Sequence, residues 1–111
     1  MYVLVSADSG VRATVEDTHN LKQLHVEFRD VPDEAGAQAL SRAGLGSVDR
    51  EHAWLDVSAL RAAGDGGADW GGEFDAMLAY AASKGWTDPD QSRVRAHIVR
   101  TLPVFNARIT Y

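Results

Sequence analysis

The sequence contains no cysteine, and this absence excludes several kinds of fold and site. A disulfide framework, a thiolate zinc site and a cysteine nucleophile all need thiols. Long apolar segments are also missing, because no run approaches the ~20 residues that a membrane-spanning helix requires. The opening stretch MYVLVSADSG is too short and too weakly charged at its start for a secretory signal. We therefore expect a cytoplasmic protein with no membrane partner.

Lysine is scarce and the balance of charge is acidic. The chain has 11 basic and 16 acidic residues, a net charge of −5, and a pI near 5.2. Nucleic-acid binding depends on Lys and Arg that neutralise phosphates, so we expect no nucleic-acid partner. The nearest basic cluster, SRVRAHIVR, alternates like a strand with its arginines on the solvent side. The preference for Arg over Lys, with abundant Ala and Gly, indicates a GC-rich bacterial genome.

The length and the hydrophobic content of the sequence are those of one ordinary domain. The chain has 111 residues, of which 45% are hydrophobic, and this is enough apolar surface for one core but too short for a second. We therefore expect a single α+β domain over residues 1–111.

Three segments alternate strictly between apolar and polar residues: LHVEF (24–28), HAWLDV (52–57) and RVRAHIV (93–99). Alternation with period two predicts strands with one buried face. The predicted core face of these strands consists of Leu24, Val26, Phe28, Ala53, Leu55, Val57, Val94, Ala96 and Ile98. MYVLVSA and VRATVED flank the turn DSG and predict a hairpin, and VFNARITY predicts a last strand.

Helices are predicted between these strands. The first follows Asp30 as N-cap and ends at Gly44, and a short second one follows Ser58, which is its predicted N-cap. The third carries an apolar stripe at helical spacing, formed by Trp70, Phe74, Met77, Leu78 and Ala81. The predicted order is β-β-β-α-β-α-α-β-β. This order predicts an α+β fold with a mixed or mainly antiparallel sheet of about five or six strands and helices on one face.

The opposite face of the sheet, which we call the open face, collects the candidate ligand-binding or interface residues. They are His25, Glu27, His52, Trp54, Asp56, Arg95 and His97. A histidine beside a carboxylate is a common pair of groups in acid–base catalysis. A tryptophan ringed by charged groups is typical of a binding patch or a dimer interface. A solvated face with cross-strand hydrogen bonds would carry the same residues.

Three functions therefore remain open, and no catalytic residue can be named. The first is binding of a small molecule, or formation of a homodimer, through the open face. The second is a small enzyme that uses a histidine and a carboxylate there. The third is a regulatory protein that binds another protein through its acidic surface.

The sequence offers no motif for a cofactor or a metal. Three histidines and two carboxylates are enough ligands for zinc, but their spacings match no recognised metal motif. The glycine-rich loop around residues 64–72 lacks the phosphate-binding patterns, and no serine has a nucleophile-elbow context. We therefore expect no cofactor and no metal.

Overall fold

The computed structural model describes residues 1–7, 10–64 and 67–101, and its elements confirm the predicted α+β class. Along the chain they are β1 Tyr2–Ser6, β2 Arg12–Glu16, β3 His25–Arg29, α1 Asp33–Arg42, β4 Gly46–Asp49, β5 His52–Asp56, α2 Val57–Ala63, α3 Ala68–Ser83 and β6 Arg93–Thr101. Within these described ranges, no helix is long and apolar enough to cross a membrane.

The six strands form one mixed sheet in the order β2-β1-β3-β6-β5-β4. Strand β3 is parallel to both of its neighbours, β1 and β6, and the remaining pairs are antiparallel. Helix α1 lies against β2 and β4, which are the two edges of the sheet. The sheet therefore curls around this helix and leaves its convex side as the open face.

The predicted core face is confirmed. Eight of the nine residues are buried, and Leu24 is partly buried against the same core. Four residues of the α3 stripe are buried in that core as well, whereas Met77 packs against it from the rim. The buried side chains of all three helices and of the sheet form one cluster, so the polar alternates of the strands are left on the open face.

One strand of the structure was not predicted, and one predicted strand lies outside the described residues. Strand β4 was missed because it has only four residues, of which Val48 alone has a large apolar side chain. Its hairpin with β5 turns at Arg50 and Glu51, where Arg50 adopts a positive φ of 59° without the Gly or Asn that marks such turns. The predicted strand VFNARITY lies outside the described residues.

Both predicted helix caps are wrong. Asp30 has a φ of 56° and donates its backbone N–H to Thr101, so α1 begins later, with Pro32 in extended conformation at the N-cap. Ser58 lies inside α2, and the side chain of Asp56 caps that helix instead. The capping residue in each case is the one whose backbone is still extended where the first helical turn begins.

Arg100 joins three parts of the fold. Its guanidinium contacts both carboxylate oxygens of Asp33 at 2.7 and 3.0 Å, and it also contacts Glu51 and the carbonyl of Arg50. These bonds tie the end of β6 to the first turn of α1 and to the β4–β5 turn. The hydrogen bond from Arg100 lowers the pKa of Asp33 below its usual value.

The lowered pKa predicts how Asp33→Asn changes stability with pH. A carboxylate with a lowered folded pKa stabilises the fold above its unfolded pKa of about 3.9, and this contribution is lost as the pH falls through the folded pKa. Because the pair is exposed, we expect its loss in Asp33→Asn to cost up to about 1 kcal/mol at pH 7, in addition to the lost interaction with the helix dipole. In urea melts this difference should shrink below pH ~4.

Glu34→Gln is the matched control, since Glu34 also lies in the first turn of α1 but makes no ion pair in the described part of the chain. It should lose only the interaction with the helix dipole, about 0.3–1 kcal/mol. If Asp33→Asn costs no more than Glu34→Gln at any pH, the ion pair with Arg100 contributes nothing to stability.

Candidate functional site

The strand register places the three histidines of the open face side by side. His25 on β3 lies opposite His97 on β6, and His97 lies opposite His52 on β5. The rings of His52 and His97 meet edge to face, with centroids 5.6 Å apart, while Tyr2 on β1 stacks on His25 at 5.0 Å. The sequence alone left open whether these histidines are neighbours, and the order of the strands makes them so.

All seven candidate residues lie on the open face. His97 is exposed, and the other six are half-buried. Arg95 lies opposite Trp54 across the β5–β6 pair, one step along the strands from the histidine row. The candidates therefore share one surface, with the histidines at its centre.

The two candidate carboxylates are already engaged. Asp56 accepts a hydrogen bond from the backbone N–H of Ala59 at 2.9 Å as the cap of α2. Glu27 is bonded to Arg29 two residues along its own strand, at 2.8 and 2.9 Å. None of the three histidines of the open face hydrogen-bonds to a carboxylate in the described part of the chain, and therefore none of these three has an acidic group to orient it.

The described residues also contain no group of three or more His, Asp or Glu side chains that could hold a metal ion. Side chains of one face stand roughly parallel on neighbouring strands, with Cβ atoms about 5 Å apart. The histidine row therefore presents its rings along a line, whereas a zinc site needs ligand atoms that converge on one point.

A cavity of about 210 Å³ opens at the β5–β6 end of this row, and we call it the head cavity. Its lining consists of Leu24, His52, Trp86, Arg95, Ala96 and His97. Three of these, His52, Arg95 and His97, were predicted as site residues. The cavity therefore combines polar groups that can donate hydrogen bonds with two large apolar side chains.

Trp86 is a site residue that the sequence analysis missed. It follows Gly85 at the end of α3, and its carbonyl accepts a 2.7 Å hydrogen bond from the N–H of Arg95. The next residue, Thr87, forms an antiparallel bridge with Val94. This short pairing places Trp86 beside Arg95 on the open face, but it is too brief to produce a visible alternation in the sequence.

The turn after Trp86 is held by Asp88. Its carboxylate accepts hydrogen bonds from the backbone N–H of Arg93 at 3.0 Å and from the hydroxyl of Ser92 at 2.9 Å. These hydrogen bonds lower the pKa of Asp88 below its usual value, and the bond from the Arg93 N–H has the largest effect. The turn fixes residues 86–88 against β6 and so fixes one wall of the head cavity.

Two further cavities continue from the head cavity toward α3. A middle cavity of about 90 Å³ shares Leu24, Trp86 and Arg95 with it, and a far cavity of about 670 Å³ shares Lys22, Met77 and Tyr80 with the middle one. We call the three together the groove. The far cavity lies between segment 19–22 and α3, where Glu73 and Ala76 also line it.

The wall opposite α3 is anchored at several points. The indole N–H of the buried Trp70 donates to the carbonyl of Thr18 at 2.6 Å. The amino group of Met1 donates to the carbonyls of Asn20 and Gln23, and its burial lowers its pKa. These bonds connect segment 18–23 to the core of the domain, and so the groove has a supported wall.

The groove concentrates the scarce positive charge of an acidic chain. Arg95 and Lys22 line it, and Lys84 lies 5.6 Å from the ring of Tyr80. Lys22 and Lys84 are the two lysines of the whole sequence. Glu73 is the one acid that lines the groove in the described part of the chain, and it lies in the far cavity.

Comparison of the chain with protein-family models, with curated protein sequences and with solved structures found no match.

Proposed function

We propose that this chain is a small-molecule-binding domain whose head cavity takes the acidic group of an organic anion. The observation that carries the proposal is that Arg95, His52 and His97 line one cavity. Small-molecule sites typically combine a few convergent polar groups with apolar walls, and the head cavity has this composition.

The chemistry of the polar groups favours an anion. A guanidinium presents several N–H donors in a planar fork that matches the oxygens of a carboxylate or a phosphate. Imidazole nitrogens add donors from the adjacent strands. Among the described residues no carboxylate lines the head cavity, so none of their negative charges lies within it to oppose an anionic ligand.

The contacts of the two carboxylates on the open face argue against the alternative of acid–base catalysis. An enzyme of that kind would need a histidine held by a carboxylate or another orienting group. Glu27 is instead paired with Arg29, and Asp56 caps α2. Ligand binding requires no such pair.

The proposal can be tested by NMR titration of the full chain with benzoate and phenyl phosphate, which are small enough to probe the head cavity alone. Benzamide serves as the uncharged counterpart of benzoate. We expect the acids, and not benzamide, to shift the signals of Trp86 and His97. A stronger response to one acid than to the other identifies carboxylate or phosphate as the preferred group.

Arg95→Gln should weaken binding of the better acid about tenfold, which corresponds to about 1.4 kcal/mol and is typical of a lost charged hydrogen bond. Arg93→Gln is the matched control, because Arg93 lies on the same strand and the same face but does not line the cavity. Equal losses in both variants would indicate a diffuse charge effect and would overturn the assignment. A change of molecular mass in light scattering for Trp54→Ala, with no response to either acid, would favour self-association.

A further inference from the structure

We infer that the ligand is an acid with an extended, unbranched apolar body, which leaves the head cavity between Leu24 and Trp86 and lies along the groove toward α3. This inference depends on the proposed function, because the head cavity must first hold the acidic group. It adds the class of the ligand, its direction of binding and the residues that select its length.

The continuity of the groove is the first support. The head and middle cavities share Leu24, Trp86 and Arg95, and the middle and far cavities share Met77 and Tyr80. A molecule held at Arg95 therefore has a continuous path over apolar side chains. The head cavity, at about 210 Å³, is smaller than the cavities of about 300–1,000 Å³ that usually hold a complete ligand.

Exposed aromatic surface is the second support. Among the described residues, the large apolar side chains that are most exposed are Tyr80 (59%), Val99 (39%) and Trp86 (37%). Tyr80 and Trp86 both line the groove and meet edge to face, with ring centroids 6.1 Å apart. Adjacent exposed apolar side chains usually mark a binding surface, and here they lie between the cationic head cavity and the large far cavity.

The shape of the groove favours a chain over a fused ring system. The middle cavity has only about 90 Å³ of free space, against about 670 Å³ for the far cavity. A few methylene groups fit this volume, whereas a fused ring system does not. Met77 lines both cavities, and its unbranched thioether can adapt to chains of different conformation.

Charge complementarity favours an acid over a neutral lipid. Arg95 and Lys22 line the groove, and Lys84 lies beside Tyr80. A single carboxylate on an alkyl chain matches this positive charge and the apolar side chains beside it. A second copy of the chain is also acidic, with a net charge of −5, and light scattering tests that occupant.

The test is calorimetric titration of the full chain with butanoate, octanoate and dodecanoate below their micelle concentrations, with dodecanol as the neutral control. Each methylene that is removed from water should strengthen binding about fourfold, so dodecanoate should bind at least about a hundredfold more tightly than butanoate if about half of its additional methylenes leave the water. Dodecanol should bind at least about tenfold more weakly than dodecanoate, because it cannot form the charged hydrogen bonds of the head cavity.

Ala76→Phe provides the site-specific arm. Ala76 is an exposed residue of α3 that lines the far cavity. A phenyl ring there would occupy the path of the ligand's alkyl chain. We expect this variant to bind dodecanoate about tenfold more weakly and to bind butanoate with unchanged affinity. Ala79→Phe is the matched control, since Ala79 is exposed on the same helix but lines none of the three cavities.

The outcomes separate the two proposals. If butanoate and dodecanoate bind equally and Arg95→Gln weakens both, the head cavity binds acids but the extended ligand is wrong. If no acid binds, or dodecanol binds as tightly as dodecanoate, both proposals fail. If Ala76→Phe changes the molecular mass in light scattering and not the affinity for dodecanoate, the groove is an interface between copies and the inference is overturned.

Discussion

Phe74→Ala is expected to lower the free energy of unfolding by about 3–5 kcal/mol, which is the usual cost of removing a buried phenyl ring. Phe74 lies at the centre of α3 and has no exposed surface. Its ring stacks on Trp70 with centroids 5.0 Å apart, and the guanidinium of Arg61 lies 4.8 Å from its centroid. Truncation therefore removes packing between α3, α2 and the core at once. Urea melts followed by far-ultraviolet circular dichroism measure the loss.

Tyr80→Ala is the control on the same helix. Tyr80 is 59% exposed and lies on the groove, so its truncation should change the free energy of unfolding by less than about 1 kcal/mol. Equal costs for the two variants would mean that α3 does not use the face that carries Phe74 to close the core.

The alternation of the strands and the stripe of α3 could be predicted because they are local. In β3, β5 and β6 the side chains change face at every residue, so Val26, Leu55 and Ile98 mark the core without any knowledge of strand order. Strand β4 was missed because Gly46–Asp49 is too short to show a period. Local patterns thus identified the faces but not every strand that shares them.

The site depends on information that is not local. His25, His52 and His97 become neighbours only because β6 lies between β3 and β5, a pairing between segments tens of residues apart. The groove residues Lys22 and Trp86 lie on segments without helical or strand periodicity. Sequence reasoning could therefore name the polar half of the head cavity but not its apolar half or its extension toward α3.

The role of Asp56 depends on the element that follows it in the chain, which the alternation of its strand does not show. Asp56 was a candidate acid because it shares a face with His52 and Trp54. The chain enters α2 directly after it, and an extended residue before a first helical turn is the position where a carboxylate caps the helix. A polar residue at the end of a strand can thus lie on the face that its alternation indicates and still be used by the next element, as Asp56 is by α2.

Gly36→Ala is expected to destabilise the fold by about 1–3 kcal/mol, although alanine is the better helix former by about 1 kcal/mol. The reason is close packing of α1 on β3. A Cβ atom at position 36 would lie 2.5 Å from the ring of Phe28, which is fully buried. Gly72→Ala in α3 is the matched control, because no atom of the described residues lies within 4 Å of the added atom. It should stabilise the fold by about 0.5–1 kcal/mol, so the two substitutions should have opposite signs in urea melts.

A double-mutant cycle identifies the cause of the Gly36 effect. Phe28→Leu removes the ring atoms that the new methyl group would meet, and on its own it should be destabilising because it leaves a cavity in the core. Combined with Gly36→Ala it should cost less than the sum of the two single changes, with a coupling of at least about 0.5 kcal/mol. Strict additivity would show that the cost of Gly36→Ala does not come from the contact with the ring of Phe28.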